Sequence, residues 1–244
     1  MYTQNDMEEE MKNLKKMFVV ALVSGFALAA IPVQKLVPVA NVFGPEGFDS
    51  NDNVEVVVEG FLPNLCYRSP MSEVKVEGNK IQIMVSAYSS EEVNPFCPEM
   101  VVPFLEKVDV GVMDKGNYDI LVNGKSIYER SGDIKVNESI SDAIDEVVYA
   151  NVEYVEQVRG SRNIRLKGHN PSDCFVIDKV DFVDNNKDVY SVLPKMKQIS
   201  DFCPMKLVPF EYEVEVPQNL NKEKVLLHVR VMDGQSVNSL YFNK

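Results

Sequence analysis

The chain of 244 residues has no tryptophan and only two histidines. Each shortage closes a route. With His169 and His228 as the only candidates, a Ser-His-Asp or Cys-His constellation has little to draw on, and neither histidine follows a nucleophile motif. The sequence holds no Gly-rich phosphate loop, no His-Glu-x-x-His and no Gly-x-Ser-x-Gly. It also lacks a Cys-x-x-Cys pair, so its four cysteines do not read as zinc ligands. Positive charge is scarce as well. Thirty-seven acidic side chains against 25 basic ones leave a formal net charge of -12, which opposes nonspecific binding to nucleic acid or anionic lipid. No catalytic residue, cofactor or metal is therefore expected; a carboxylate-only hydrolase is the enzymatic alternative, because distant Asp and Glu side chains can converge in space.

What the chain does contain is a repeat. Gly60-x-x-Pro63-x-x-Cys66 returns as Gly168-x-x-Pro171-x-x-Cys174, and Phe96-Cys97-Pro98-x-x-x-Val102-Pro103-Phe104 returns as Phe202-Cys203-Pro204-x-x-x-Val208-Pro209-Phe210. Weaker echoes run in the same order: Ala40-Asn41-Val42 with Ala150-Asn151-Val152, and Asn123-Gly124 with Asp233-Gly234. Matched cysteines after similar spacings mean one structural unit used twice. Repeat symmetry then favours disulfides Cys66–Cys97 and Cys174–Cys203, each closing a loop of about 30 residues and worth roughly 3 to 4 kcal/mol in the loop-entropy model.

The chain start supplies the oxidising compartment that such bonds need. Lys12, Lys15 and Lys16 precede an uncharged apolar run over residues 17–30 that ends in Ala27-Leu28-Ala29. This is the pattern of a secretory signal peptide, so residues 1–29 are expected to be leader and signal. A periplasmic or secreted protein follows, with no stable membrane span after cleavage. Retention of the segment as an anchor is the alternative.

Period-two alternation of β-branched and aromatic residues predicts strands over 53–60, 73–77, 80–86, 106–110 and 118–122 in the first copy. In the second copy it predicts them over 147–158, 163–167, 174–182, 188–193, 210–216 and 224–232. Turn residues separate them, and Asn123-Gly124 suggests a tight hairpin. Many short strands imply an all-β chain of two tandem antiparallel β-sandwich domains, each with one disulfide. They are placed at residues 35–128 and 147–244, with an acidic linker at 129–146 in which 139–146 could form one or two helical turns.

Asp114-Lys115-Gly116-Asn117-Tyr118 resembles the corner of immunoglobulin-like domains, and the resemblance implies a Tyr118 hydroxyl bonded back to the backbone. Paired modules of this kind after a signal peptide look like bacterial envelope or secreted proteins. The likeness transfers no functional residue.

One local anomaly is basic. Arg159, Arg162, Arg165, Lys167 and His169 crowd into eleven residues, and alternation puts Arg165, Lys167 and His169 on one strand face. This stripe is the candidate contact for an acidic partner, a protein or envelope component; pairing with nearby Asp142, Asp145, Glu146, Glu153 and Glu156 is the plainer explanation. The oxygen-rich runs Asp49-Ser50-Asn51-Asp52-Asn53 and residues 184–188 read as turns rather than calcium loops. His228 is expected to face outward from its strand. The resulting expectation is a non-catalytic binding or scaffolding protein, with a protease-inhibitor-like module presenting residues 64–71 or 90–95 as a further alternative.

Overall fold

The computed structural model describes residues 32–94, 96–141 and 147–243. The expected signal segment, and residues 142–146 of the expected helical turns, lie outside them. The described residues from Gln34 onward form one compact unit. Its regular structure is all β, apart from one 3-10 turn at Met232–Gly234. Among the described residues no helix is long and apolar enough to cross a membrane.

The first half contains β1 (Val33–Leu36), β2 (Val39–Phe43), β3 (Phe48–Asp49), β4 (Asn53–Leu62), β5 (Tyr67–Glu77), β6 (Lys80–Ser89), β7 (Val102–Val112), β8 (Gly116–Val122) and β9 (Arg130–Asn137). The second half contains β10 (Val152–Gln157), β11 (Asn163–Asn170), β12 (Phe175–Asp184), β13 (Val189–Gln198), β14 (Val208–Glu215), β15 (Lys224–Val231) and β16 (Gln235–Phe242). In the first half a sheet of order β2-β4-β7 faces one of order β1-β6-β8-β9-β3, in which β5 also pairs with β6. In the second, a sheet of order β10-β11-β14 faces one of order β12-β13-β15-β16. β2-β4-β7 thus corresponds to β10-β11-β14 and β5-β6-β8-β9 to β12-β13-β15-β16, while β1 and β3 have no counterpart among the described residues.

Strand alternation builds each core. Ile81, Ile83, Val85 and Ala87 on β6, with Ile120 and Val122 on β8, meet Val54, Val56 and Val58 on β4, all of them buried. In the second half Val225, Leu227, Val229 and Val231 on β15 meet Ile164 and Leu166 on β11. Each buried aliphatic side chain of this size contributes about 1.5 to 3 kcal/mol relative to leaving it in water.

Both disulfides form as the repeat implied, Cys66–Cys97 and Cys174–Cys203, with Cα atoms 5.5 and 5.4 Å apart. The registers explain the residues around them. Gly60 pairs with Phe104, and Gly168 with Phe210. A Cβ on Gly60 would stand 2.5 Å from the Phe104 ring and 2.5 Å from the Pro38 carbonyl, while on Gly168 it would collide with the Asn151 carbonyl and the Phe210 ring. Glycine is required because a ring lies across it. Beyond it, Asn64 Oδ1 accepts the Cys66 amide at 2.9 Å and Ser172 Oγ accepts the Cys174 amide at 3.3 Å, turning the chain from one sheet into the other.

Four expectations are corrected. The sheets are not purely antiparallel, because β6 pairs with β8, β13 with β15 and β3 with β9 in parallel. The reason for the first two is topological: β7 and β14 lie in the opposite sheet, so the chain crosses over and returns in the same direction. Residues 130–137 of the expected linker form β9, hydrogen-bonded along β8; its exposed positions are polar, which hid it. Asn123-Gly124 does not close a two-residue hairpin. Asn123, at φ 50°, is buried; it donates to the Val37 carbonyl and accepts the Val85 amide, and the chain returns only at Arg130. Finally, Val39 pairs with Gly60 and Val152 with Gly168, so β2 and β10 correspond at a spacing that leaves the Ala-Asn-Val echo out of register.

Candidate functional site

Three surfaces carry chemistry: the seam between the halves, the basic stripe, and the two disulfide tips. At the seam the outer face of the β4 sheet lies on the outer face of the β15 sheet. Phe43, Val57, Val189 and Leu226 are buried there, with Leu105 and Leu240 packed around them. Val57 can do this because β4 reads Val56-Val57-Val58, apolar on both faces, as in a strand covered from both sides.

Charges flank this apolar patch in pairs. Arg230 donates to both carboxylate oxygens of Asp52, at 2.8 and 3.1 Å, and the pair is almost wholly buried. The Arg230 guanidinium also lies 5.2 Å from the Phe48 ring centre and 5.8 Å from that of Tyr149. Glu55, 2% exposed, accepts from Lys107 at 3.0 Å and from the Ser236 hydroxyl. Lys224 donates to both oxygens of Glu59 at 2.7 and 2.6 Å. The backbone joins in, with Ser191 donating to the Glu46 carbonyl and Asn185 to the Gly44 carbonyl.

His228 does face outward from its own core, as its alternation implied, but outward here is the seam, where it is fully buried. Its Nδ1 lies 2.9 Å from Asn238 Oδ1 and 4.0 Å from Glu55, its ring 5.6 Å from that of Phe48, and its Nε2 has no hydrogen-bond partner among the described residues. Burial is the main force holding its pKa down at about 4, with the positive charges of Arg230 and Lys107 adding to it.

The stripe lies on the corresponding outer face of the second half. Arg165 meets Glu156 at 3.0 Å, Glu211 at 2.8 Å and Glu213 at 2.5 Å. Lys167 meets Glu156 at 3.0 Å, and His169 meets Glu153 at 3.0 Å. Arg162 donates to the carbonyls of Val216 and Pro217, both at 2.7 Å. Arg159 is exposed at the β10–β11 turn, with no ion pair among the described residues. Glu153 and Glu156 were in view in the sequence; Glu211 and Glu213 on β14 were not, because only the register brings them beside β11. Asp142, Asp145 and Glu146 lie outside the described residues.

The oxygen-rich runs serve turns and the seam. Asn185 Oδ1 accepts the amides of Lys187, Asp188 and Val189, and Asp52 is committed to Arg230. Among the described residues no group of three or more His, Cys, Asp or Glu stands where it could hold a metal ion. Residues 67–71 belong to β5, whose register shifts between Arg68 and Met71. Near residue 90, Glu91 accepts from Asn64, Tyr67, Lys35 and Ser89, and these bonds hold its pKa at about 2.

The tips are the repeated Phe-Cys-Pro segments. Cys66 and Cys174 are buried at the ends of the sandwiches, whereas Phe96 is 73% exposed and Phe202 80%. Met100, Val101, Met205 and Leu207 are exposed beside them.

The family model described as the ORF11 beta-sandwich domain matches residues 56–134, from within β4 to within β9. No curated protein and no solved structure matches the chain. The matched stretch and the facing sheets agree on a β-sandwich, and the two disulfides point to an oxidising environment.

Proposed function

We propose that the chain is an exported, non-catalytic binding or scaffolding protein, periplasmic or secreted, built from two immunoglobulin-like copies of one sandwich module. The observation that carries this reading is the seam. A face that each isolated module would expose is filled by apolar side chains and paired charges, which suits a rigid body presenting its ends and loops. The pairing order that the halves share, with β1 and β3 as additions in the first, supports the duplication. The Tyr118 hydroxyl, donating to the Asp114 carbonyl at 2.8 Å, supports the immunoglobulin-like corner; the parallel β6–β8 pair is a departure from that fold.

A partner that used the stripe would have to displace glutamates from Arg165 and Lys167, which leaves Arg159 as its readiest contact. Fractionation and intact-mass measurement test the reading. An oxidised chain outside the cytoplasm, beginning after Ala29 or Ala30, is expected; a cytosolic chain with free thiols contradicts it. A hydrolase panel is the control, since turnover abolished by a single carboxylate substitution would replace a scaffold with an enzyme.

A further inference from the structure

The apolar tips are the least explained surface of the molecule. The fold accounts for the Val-Pro-Phe end of each repeated segment, whose phenylalanine covers a glycine. It does not account for Phe96 and Phe202, which project into solvent in both halves. An aromatic side chain left exposed twice at the same place, on a loop pinned by a disulfide and a proline, is a pre-organised anchor that loses little freedom on binding.

The registers place the tips at opposite ends. Glu59 meets Lys224 while Asp52 meets Arg230, so β4 runs against β15 and leaves the seam toward the first tip. β13 is parallel to β15 and runs on to Gln198; the next amide, Ile199, donates to the Cys174 carbonyl at 2.8 Å, which is the second tip. Beside that tip lies a groove of about 370 Å³ whose apolar lining of Phe175, Ile177, Val208, Phe210 and Tyr212 is joined by Asp173 and Glu211, the latter paired with Arg165. The repeated segments differ in charge at their centre: Glu99-Met100-Val101 in the first, Met205-Lys206-Leu207 in the second. Lys206 reaches Asp173 at 3.6 Å and is largely exposed.

We propose that copies of this chain associate end to end, Phe96 of one entering the groove beside the second tip of the next, with Glu99 facing Lys206. The occupant is a second copy because one chain supplies both parts at opposite ends, an apolar knob with Glu99 beside it and an apolar groove flanked by Lys206, which meets the groove's Asp173 at 3.6 Å. Such a contact is heterologous and does not close on itself in a dimer. It adds a partner to the scaffold reading and can fail without it.

Sedimentation of the purified full chain over a range of concentrations tests this. The wild type is expected to gain mass as concentration rises. Phe96→Ser, at an exposed position that leaves the core intact, should weaken association about tenfold or more, as loss of an anchor does. Glu99→Lys or Lys206→Glu alone should weaken it about threefold, and the two together should restore it. A wild type that stays monomeric, association indifferent to Phe96→Ser, or a Phe96-dependent affinity for lipid vesicles or another protein by a monomeric chain would each overturn the end-to-end contact. The scaffold reading would then stand or fall on fractionation and intact mass.

Discussion

The outer faces of β4 and β11 occupy the same place in the two halves and have opposite characters. On the first, Phe43, Val57 and Leu105 form an apolar centre covered by the β15 sheet. On the second, register puts Glu156, Arg165 and Glu213 side by side, each partly open to water. One face is built to be covered and the other to stay wet. The difference teaches that the stripe need not be a binding site. A stack of two similar modules has to end, and a face of mutually satisfied charges, with Tyr154 as its one large exposed ring opposite Lys167 among the described residues, gives a third module little apolar surface to bury against. The same kind of interaction, an arginine with carboxylates, therefore has different energetic weight on the two faces.

The sharpest way to break that contrast is Arg230→Ala, which leaves Asp52 buried without its cation. A loss of about 3 to 5 kcal/mol in urea unfolding is expected. Next comes acid. His228 in the folded chain titrates near 4 against an ordinary value of 6.5, so its contribution is present above about pH 6.5 and is lost as pH falls toward 4. The unfolded chain binds the proton first, a difference of about 3 kcal/mol. His228→Asn should remove this component, and subtracting the variant's pH profile from the wild type's cancels the carboxylates common to both. Gly60→Ala and Gly168→Ala sharpen the comparison from the other side. Both should cost about 1 to 3 kcal/mol in thermal or urea unfolding, because both would force a ring and a carbonyl aside. The smallest effect belongs to the stripe: Arg165→Ala should cost no more than about 1 kcal/mol, screened by solvent and reduced by salt. If it cost as much as Arg230→Ala, the contrast between the two faces would be wrong.

The repeat made the disulfides and most strands legible before any coordinates, because cysteine spacing and period-two alternation are local signals. β9 and β16 were missed for a local reason too. Arg130-Ser131-Gly132-Asp133 and Gln235-Ser236-Val237-Asn238 are too polar to read as strands, and only their neighbours make them so. The seam was written more faintly. Val56-Val57-Val58 and Leu226-Leu227 break strict alternation, which signals strands covered on both faces, but two such runs do not say that they cover each other. Nothing local marks Asp52, Glu55 and Arg230 as buried, because the partners they meet across the seam lie about 180 residues away in sequence. The stripe showed the reverse: its basic residues were conspicuous, whereas the glutamates of β14 that meet them come from a strand more than 40 residues later.

The central claim is that the seam makes two modules into one cooperative body. Differential scanning calorimetry tests it most directly. The account predicts a single transition for the wild type with calorimetric and van't Hoff enthalpies in agreement, resolving into two when Val57→Asp and Arg230→Ala are combined. Two independent transitions in the wild type, unchanged by those substitutions, would contradict it.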